Sequence, residues 1–280
     1  MKRMAQRVRS TSRRARVLLA FGLAVVGGVL LLIPANAGAS AATDRLSASV
    51  SPGLPQDLAT TSSSGQAFDG TAAVGALFTE SDGKLGTHFC TASVVQSTHG
   101  DLAVTAAHCV TGVQGQIVFV PGYANGKEPY GGWQVTAIYT NQAWKSGQNP
   151  DDDFAFLRLA DSISGKSVED VTGAERLGFS WPVPALVRVI GYPDSANEPI
   201  ACTNWANKFS STQLVFDCAG YTDGTSGGPF LADVSAASGD GTIIGVIGGY
   251  EQGGNLPQVS YAAAFGPATK ALFQTAEAAG

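Results

Sequence analysis

Charge is scarce in this chain. Asp, Glu, Lys and Arg make up 14% of its 280 residues, where about a quarter is usual. A coiled coil or a long solvated tail is therefore excluded as its main body. Histidine is scarcer still, with three, and none of the four cysteines (Cys90, Cys109, Cys202, Cys218) stands in a C-x-x-C pair. A zinc site lacks its usual ligand spacing, and no metal and no cofactor is expected. No internal repeat is visible. What the chain does have is glycine, 35 residues of it. Abundant glycine with little charge suits an all-β protein with many tight turns.

The one long apolar run is at the start. Lys2, Arg3, Arg7, Arg9, Arg13, Arg14 and Arg16 precede Val17 to Ile33, and Pro34-Ala35-Asn36-Ala37 follows. A basic stretch, an apolar run and small residues in A-x-A order describe a secretory signal peptide, residues 1–37. The alternative is a permanent anchor, but the run is at the short limit for a span. Its glycines and small-residue end favour cleavage, and Ala39-Ser40-Ala41 offers a second cut. Ser12-Arg13-Arg14 hints at twin-arginine export, though Arg16 stands where such signals usually carry a large apolar residue. The leader holds seven of the 17 basic residues and none of the 22 acidic ones. The remaining chain carries 10 against 22, about −12. Nucleic acid is excluded as a partner, since phosphate contacts need clustered Lys and Arg. Anionic membranes are equally unsuited once the leader is gone. Four cysteines in an exported chain read as two disulfides, and sequence neighbours pair as 90–109 and 202–218.

Residues 38–66, rich in Ser, Thr, Pro, Gly and Ala, read as a linker, a propeptide or a loose N-terminus. From there short apolar runs alternate with turn residues. Candidate strands are 71–79, 88–95, 101–106, 115–120, 132–139 and 154–159. After a polar connection come 185–192, 198–203, 212–218, 228–233, 242–249 and 257–265. Six, a gap, then six fits two β-barrels, about 67–165 and 180–265. Pro267 suits a first helical turn, and Ala268, Ala271, Leu272 and Thr275 share one face at helical spacing. A C-terminal helix over 267–278 is expected to pack on a barrel.

Cleaving an amide by acyl transfer needs a nucleophile, a base, a group to orient the base, and donors for the oxyanion. Ser226, in Asp223-Gly-Thr-Ser-Gly-Gly-Pro229, is the nucleophile candidate. Glycines on both sides permit a turn in which backbone N–H groups, those of Gly224 and Ser226, point at one spot. The bland alternative is a hairpin turn with an incidental serine. His108 closes the apolar run Val104-Thr-Ala-Ala and stands beside Cys109. His99 lies in a polar turn, and His88 falls on the strand of Cys90. Asp153 opens the apolar strand Phe154-Ala-Phe-Leu-Arg-Leu159 and is the orienting acid. Asp151 and Asp152 read as an exposed acidic turn. The motif also satisfies G-x-S-x-G, but α/β-hydrolases need the order Ser, acid, His, and no histidine follows Ser226. The subtilisin order would need an acid before His108, and only Asp82 or Asp101 are there, in poor contexts.

Thr105-Ala-Ala-His108-Cys109, Asp153-Phe-Ala-Phe-Leu-Arg-Leu and Gly224-Thr-Ser-Gly-Gly-Pro229 resemble the three catalytic segments of trypsin-like (chymotrypsin-fold) serine peptidases. Phe89-Cys90-Thr-Ala-Ser resembles the strand whose cysteine bonds to the one beside the catalytic histidine. The resemblance covers residues 67–280, and the 73-residue interval from Asp153 to Ser226 is similar to that of bacterial streptogrisins and glutamyl endopeptidases. It implies two antiparallel six-stranded barrels with a catalytic triad His108, Asp153, Ser226 in the cleft, and a secreted, monomeric endopeptidase acting on protein or peptide. An inactive binding module on the same fold and an esterase are the alternatives. Two departures follow. Thr225 stands where trypsins carry the Asp that binds the new N-terminus, so that activation switch is not expected. Gly220 stands where trypsins carry a selector Asp, and Ile243–Tyr250 lacks the histidine of glutamyl endopeptidases. Gly248 and Gly249 are free to pair with a substrate backbone, Tyr250 to line the pocket, and a preference for small or apolar side chains is expected.

Overall fold

The computed structural model describes residues 63–280; the leader and most of the Ser/Thr-rich segment lie outside the described residues. The chain begins with β1 (Gln66–Ala67), then β2 (Val74–Ser81), β3 (Lys84–Val94), β4 (Leu102–Thr105), β5 (Gln116–Pro121), β6 (Trp133–Tyr139) and β7 (Ala155–Leu159). Strands β2 to β7 close a barrel in the order β2-β3-β4-β7-β6-β5. A connection follows that carries the helical turn Val168–Thr172 and the short β8 (Arg176–Leu177). Then come β9 (Ala185–Gly191), β10 (Ile200–Lys208), β11 (Gln213–Asp217), β12 (Pro229–Ala232), β13 (Thr242–Ile247) and β14 (Val259–Ala264). These pair as β9-β10-β11-β14-β13-β12 and back to β9, a second closed six-stranded barrel. All twelve expected strands are present. Strands β1 and β8, two residues each, left no apolar pattern to read. The first of them pairs with β10, and the N–H of Gly65 donates to Ala219 (2.7 Å).

Strands such as β2, β7 and β13 are apolar on both faces because each face has a core to fill. Side chains alternate across a strand. On β2, Val74, Ala76 and Phe78 belong to one buried cluster and Leu77 to another. At β7, Phe154 and Phe156 point one way, and Ala155, Leu157 and Leu159 the other. The first set joins Ile190, Tyr192, Leu231, Ile243 and Phe265 of the second half in a core shared by both barrels. The second set fills the first barrel with Phe119 and Trp133. Val187, Val189, Phe216, Phe230 and Ile244 fill the other. Disulfides Cys90–Cys109 and Cys202–Cys218 pair as expected. Each closes a loop short enough to contribute roughly 3 kcal/mol in the loop-entropy account.

A helix, Pro267–Ala278, ends the chain. Its buried face is not the one expected: Thr269, Leu272 and Ala276 are buried, whereas Ala268, Ala271 and Thr275 are exposed. Alanines offer little area to bury, so Leu272 and Phe273 set the orientation instead, with Phe273 stacking near Phe156 (5.4 Å). The helix lies on the first barrel. Arg158 of β7 pairs with Asp101 and donates to the carbonyl of Ala276 (2.5 Å), while the Glu277 carboxylate accepts from Thr98 N (2.7 Å) and Oγ1 (2.9 Å).

The connection between barrels holds one costly group. Glu175 is fully buried. Its backbone pairs with Val94 and Gln96 of the first barrel, and its Oε2 accepts from Gly241 N (2.5 Å) at the start of β13. Oε1 has no partner among the described residues. Desolvation pushes its carboxyl up to about 7; the Gly241 N–H opposes this, Asp240 adds to it, and Arg176 opposes it. The folded state thus holds a proton that the unfolded state releases near 4.5. Stability should therefore fall as pH rises from about 4.5 to 7, by roughly 3 kcal/mol at most. Glu175→Gln is expected to raise Tm by several degrees at pH 8 and to leave it unchanged at pH 4.5, read by circular dichroism melts.

Candidate active site

Register brings the first two residues together. Strand β4 pairs antiparallel with β7, Thr105 opposite Ala155. Three residues beyond Thr105, and two before Ala155, the chains meet as His108 and Asp153. His108 sits in a single helical turn, Ala107–Val110, tied to β3 by the Cys90–Cys109 bridge. With its sulfurs bonded to each other, that bridge offers no thiolate to a metal.

Asp153 is fully buried. Its Oδ1 accepts from the His108 amide (2.9 Å); its Oδ2 accepts from His108 Nδ1 (2.7 Å) and from the Gly249 amide (2.9 Å). A carboxylate is an acceptor only, so it fixes the proton on Nδ1 and leaves Nε2 with a lone pair. Nε2 lies 3.8 Å from Cys109 Sγ and makes no hydrogen bond to Ser226. Such bonds are commonly long before substrate binds. His108 and Ser226 line the same cavity, of about 820 Å³, with Phe89, Asp194, Thr222 and Asp223.

Around Ser226 the backbone accounting is nearly complete. The carbonyls of Asp223, Gly224, Thr225 and Ser226 accept from Asp194 N (2.8 Å), Thr91 Oγ1 (3.1 Å), Gly228 N (3.0 Å) and Thr91 N (2.7 Å). The amides of Thr225, Gly227 and Gly228 donate to Thr222, Ile247 and Thr225. Among the described residues, the amides of Gly224 and Ser226 alone in 224–228 have no partner. An unpaired N–H pair in a loop whose other amides are bonded can receive an oxyanion. The turn needs its glycines. Gly224 has φ +90° and Gly227 φ +80°, and a Cβ at Gly227 would sit 2.2 Å from both Thr105 Oγ1 and the Thr91 carbonyl. Thr225 is buried, and its hydroxyl donates to Thr222 O (2.7 Å), so an uncharged bond within the loop occupies this position.

Other expectations are placed as follows. Asp152 is not in an exposed turn: it is buried, and its carboxylate accepts from Asn141 and Asn149 (2.6 Å). Side-chain amides solvate it where water was expected. Asp151 is exposed and accepts from Gln213 Nε2 (2.8 Å). His99 is exposed; His88 is buried on β3, with Nε2 2.9 Å from the Ala196 carbonyl. Gly248 and Gly249 sit against Asp153. The Gly249 N–H is given to that carboxylate and its carbonyl accepts from Gln252 N (2.9 Å), whereas the Gly248 carbonyl is free among the described residues. Tyr250 is exposed and packs with Phe209 and Tyr261 outside the cavity wall. Gly220 also lies off the wall, next to Tyr221, which with Ile247, Ser260 and the segment Glu251–Pro257 forms it. Sequence reasoning missed Thr91 and Gln213. A lone threonine and glutamine carry no motif, and only the proximity of Thr91 to Cys90 marked it.

Comparison with known proteins agrees with this architecture. The family model described as Trypsin matches residues 68–265. Among solved structures, the protease Anisep from Arthrobacter nicotinovorans aligns at 25% identity, TM-score 0.65, over 76% of this chain and 99% of its own. A thermostable serine protease, AL20, from an extremophilic microorganism aligns at 25% identity, TM-score 0.64, over 75% of this chain and 99% of its own. A Glu endopeptidase shares the fold at 13% identity, TM-score 0.60, over 78% of this chain and 98% of its own. A search of curated sequences returned no match. Fold and site define a two-barrel serine endopeptidase. With 198 of its residues under one family model, the chain belongs to the trypsin family.

Gly227→Ala is expected to destabilise the fold by about 2 kcal/mol or more, from the left-handed backbone and the two oxygens in the way. Urea denaturation measures it; an unchanged midpoint would contradict the packing described.

Proposed function

We propose that this endopeptidase cleaves peptide bonds through a triad of His108, Asp153 and Ser226 and an acyl-enzyme intermediate. The observation that carries the reading is the buried Asp153 carboxylate holding His108 by both its amide and Nδ1 (2.9 and 2.7 Å), on the same cavity as Ser226. Ser226 Oγ attacks the scissile carbonyl while His108 Nε2 takes its proton. The amides of Gly224 and Ser226 receive the oxyanion, and His108 returns the proton to the leaving amine. Asp153 keeps the useful tautomer and stabilises the imidazolium. Water then enters by the same route and releases the acid.

Secretion is part of the reading. The basic and apolar leader supports it, as do two disulfides. No helix among the described residues is long and apolar enough to cross a membrane. We further infer that the peptidase domain spans about residues 67–280, acts as a monomer on protein or peptide, and needs no cofactor. The substrate backbone pairs with the free Gly248 carbonyl. Gly249 supports Asp153, and Gly220 and Tyr250 flank the pocket. Tyr221, Ile247, Leu256 and Pro257 on the wall suit small or apolar side chains, and Asp194, Asp223 and Glu251 disfavour acidic ones.

Ser226→Ala should lower kcat by roughly 10⁶-fold and abolish fluorophosphonate labelling. Asp153→Asn should lower kcat by roughly 10⁴-fold through the wrong tautomer. Near-normal turnover in either variant, on a peptide amide, would reject the triad. Cleavage-site profiling against a peptide mixture should show small or apolar residues before the cut; a dominant Lys, Arg or Glu there would reject the specificity.

A further inference from the structure

We propose that Thr91 is a positioning residue for this cleavage: its hydroxyl, reaching across from the first barrel, fixes the Gly224 peptide so that the Gly224 and Ser226 amides converge on one point. The proposal rests on the triad reading above and adds a residue to it.

Thr91 lies on β3, next to Cys90, and is fully buried. Its Oγ1 accepts from the Tyr192 amide (2.9 Å) and donates to the Gly224 carbonyl (3.1 Å). A hydroxyl has a single proton. With Tyr192 N–H filling one lone pair, the proton is directed at Gly224, so this bond is fixed in sense as well as in place. Tyr192 follows β9 of the second barrel, and Gly224 opens the turn of the serine. A Cβ at Gly224 would stand 2.5 Å from both the Tyr192 carbonyl and the Asp194 amide, so the turn packs directly on this strand end. The Thr91 hydroxyl sits at the junction of the three segments.

The consequence is geometric. The Asp223 carbonyl is held by Asp194 N (2.8 Å), which sets the plane of the peptide carrying the Gly224 N–H. The Gly224 carbonyl is held by Thr91, which sets the next plane. Together they fix the dihedrals at Gly224, the one glycine in the stretch from Gly224 to Ser226 that carries the two amides. Beyond it, Thr91 N donates to the Ser226 carbonyl (2.7 Å), and the Thr91 carbonyl accepts from Thr105 Oγ1 (2.7 Å). One residue thus holds the turn on both sides of the serine and is itself braced by the strand leading to His108. Oxyanion donors misplaced by about 1 Å lose about 100-fold in rate. Thr225, with no charge to anchor it elsewhere, leaves this cross-barrel hold to Thr91.

The test compares Thr91→Val, which keeps shape and removes the hydroxyl, with Thr91→Ser, which keeps the hydroxyl. Ser226→Ala runs beside them on the same peptide amide. Thr91→Val is expected to lower kcat about 10- to 100-fold, with KM within about twofold. It should weaken binding of a peptide aldehyde, which presents an oxyanion, by a similar factor, and Thr91→Ser should restore both. A Thr91→Val enzyme with kcat within twofold of wild type, or a Thr91→Ser enzyme as slow as Thr91→Val, overturns the proposal. A rise in KM with unchanged kcat does so too. Should Thr91→Val not fold, Thr91→Ala leaves room for water beside Tyr192 N; a kcat at least about fivefold down supports the proposal, and one within twofold overturns it. If Ser226→Ala keeps its activity, the triad reading fails first. If Ser226→Ala is inactive while Thr91→Val is normal, only the role of Thr91 fails.

Discussion

A carboxylate without access to water must be solvated by the protein, and in this molecule that demand is met across the seam between two barrels. Asp153 receives two N–H groups from His108 of the first barrel and one from Gly249 of the second. An unpaired buried charge would be untenable, so the group that orients the imidazole also makes the two halves depend on each other. Gly248 has to be a glycine for the same reason: its Cβ would stand 2.9 Å from Asp153 Oδ2. The carboxylate, the Gly248–Gly249 segment and the histidine turn are one unit.

Much of this was legible in the sequence. The twelve strands were visible as short runs rich in Val, Ile, Phe and Thr bounded by turn residues, and β7 with Phe154 to Leu159, buried on both faces, is the plainest case. The three motif residues were legible from their order along the chain, which separates this class from α/β-hydrolases. What was not legible depended on contacts without periodicity. Strands β1 and β8 are two residues each, too short to show any alternation. Asp152 stands in the same aspartate run as Asp151, yet Asn141 and Asn149 turn it inward. The helix face shifted because three alanine and threonine positions carry too little area to outweigh Leu272 and Phe273. Gly248 and Gly249 were read as free to pair with substrate, but three of their four backbone groups are bonded within the protein, one of them to Asp153.

The seam carries two kinds of polar group with opposite character. Asp153 is saturated by three donors, and the carbonyls of the Ser226 turn are held by Asp194, Thr91 and Gly228. Glu175 has one donor and an orphan oxygen. Networks of this sort are high in stakes because the low dielectric strengthens a satisfied bond and penalises a missing one. The satisfied set surrounds the cavity shared by His108 and Ser226, and the deficient one lies in the connection, where Glu175 joins β3 to β13 through both its backbone and its side chain.

The last helix joins the wrong barrel, in the sense that it follows the second and covers the first. Its links to β7 and to the β3–β4 turn span 118 and 179 residues of chain. The first barrel is therefore finished last: the half that carries His108 and Asp153 lacks part of its outer wall until the final dozen residues are in place. A chain emerging from its N-terminus can pair every strand of that barrel early and still wait on its own end for closure.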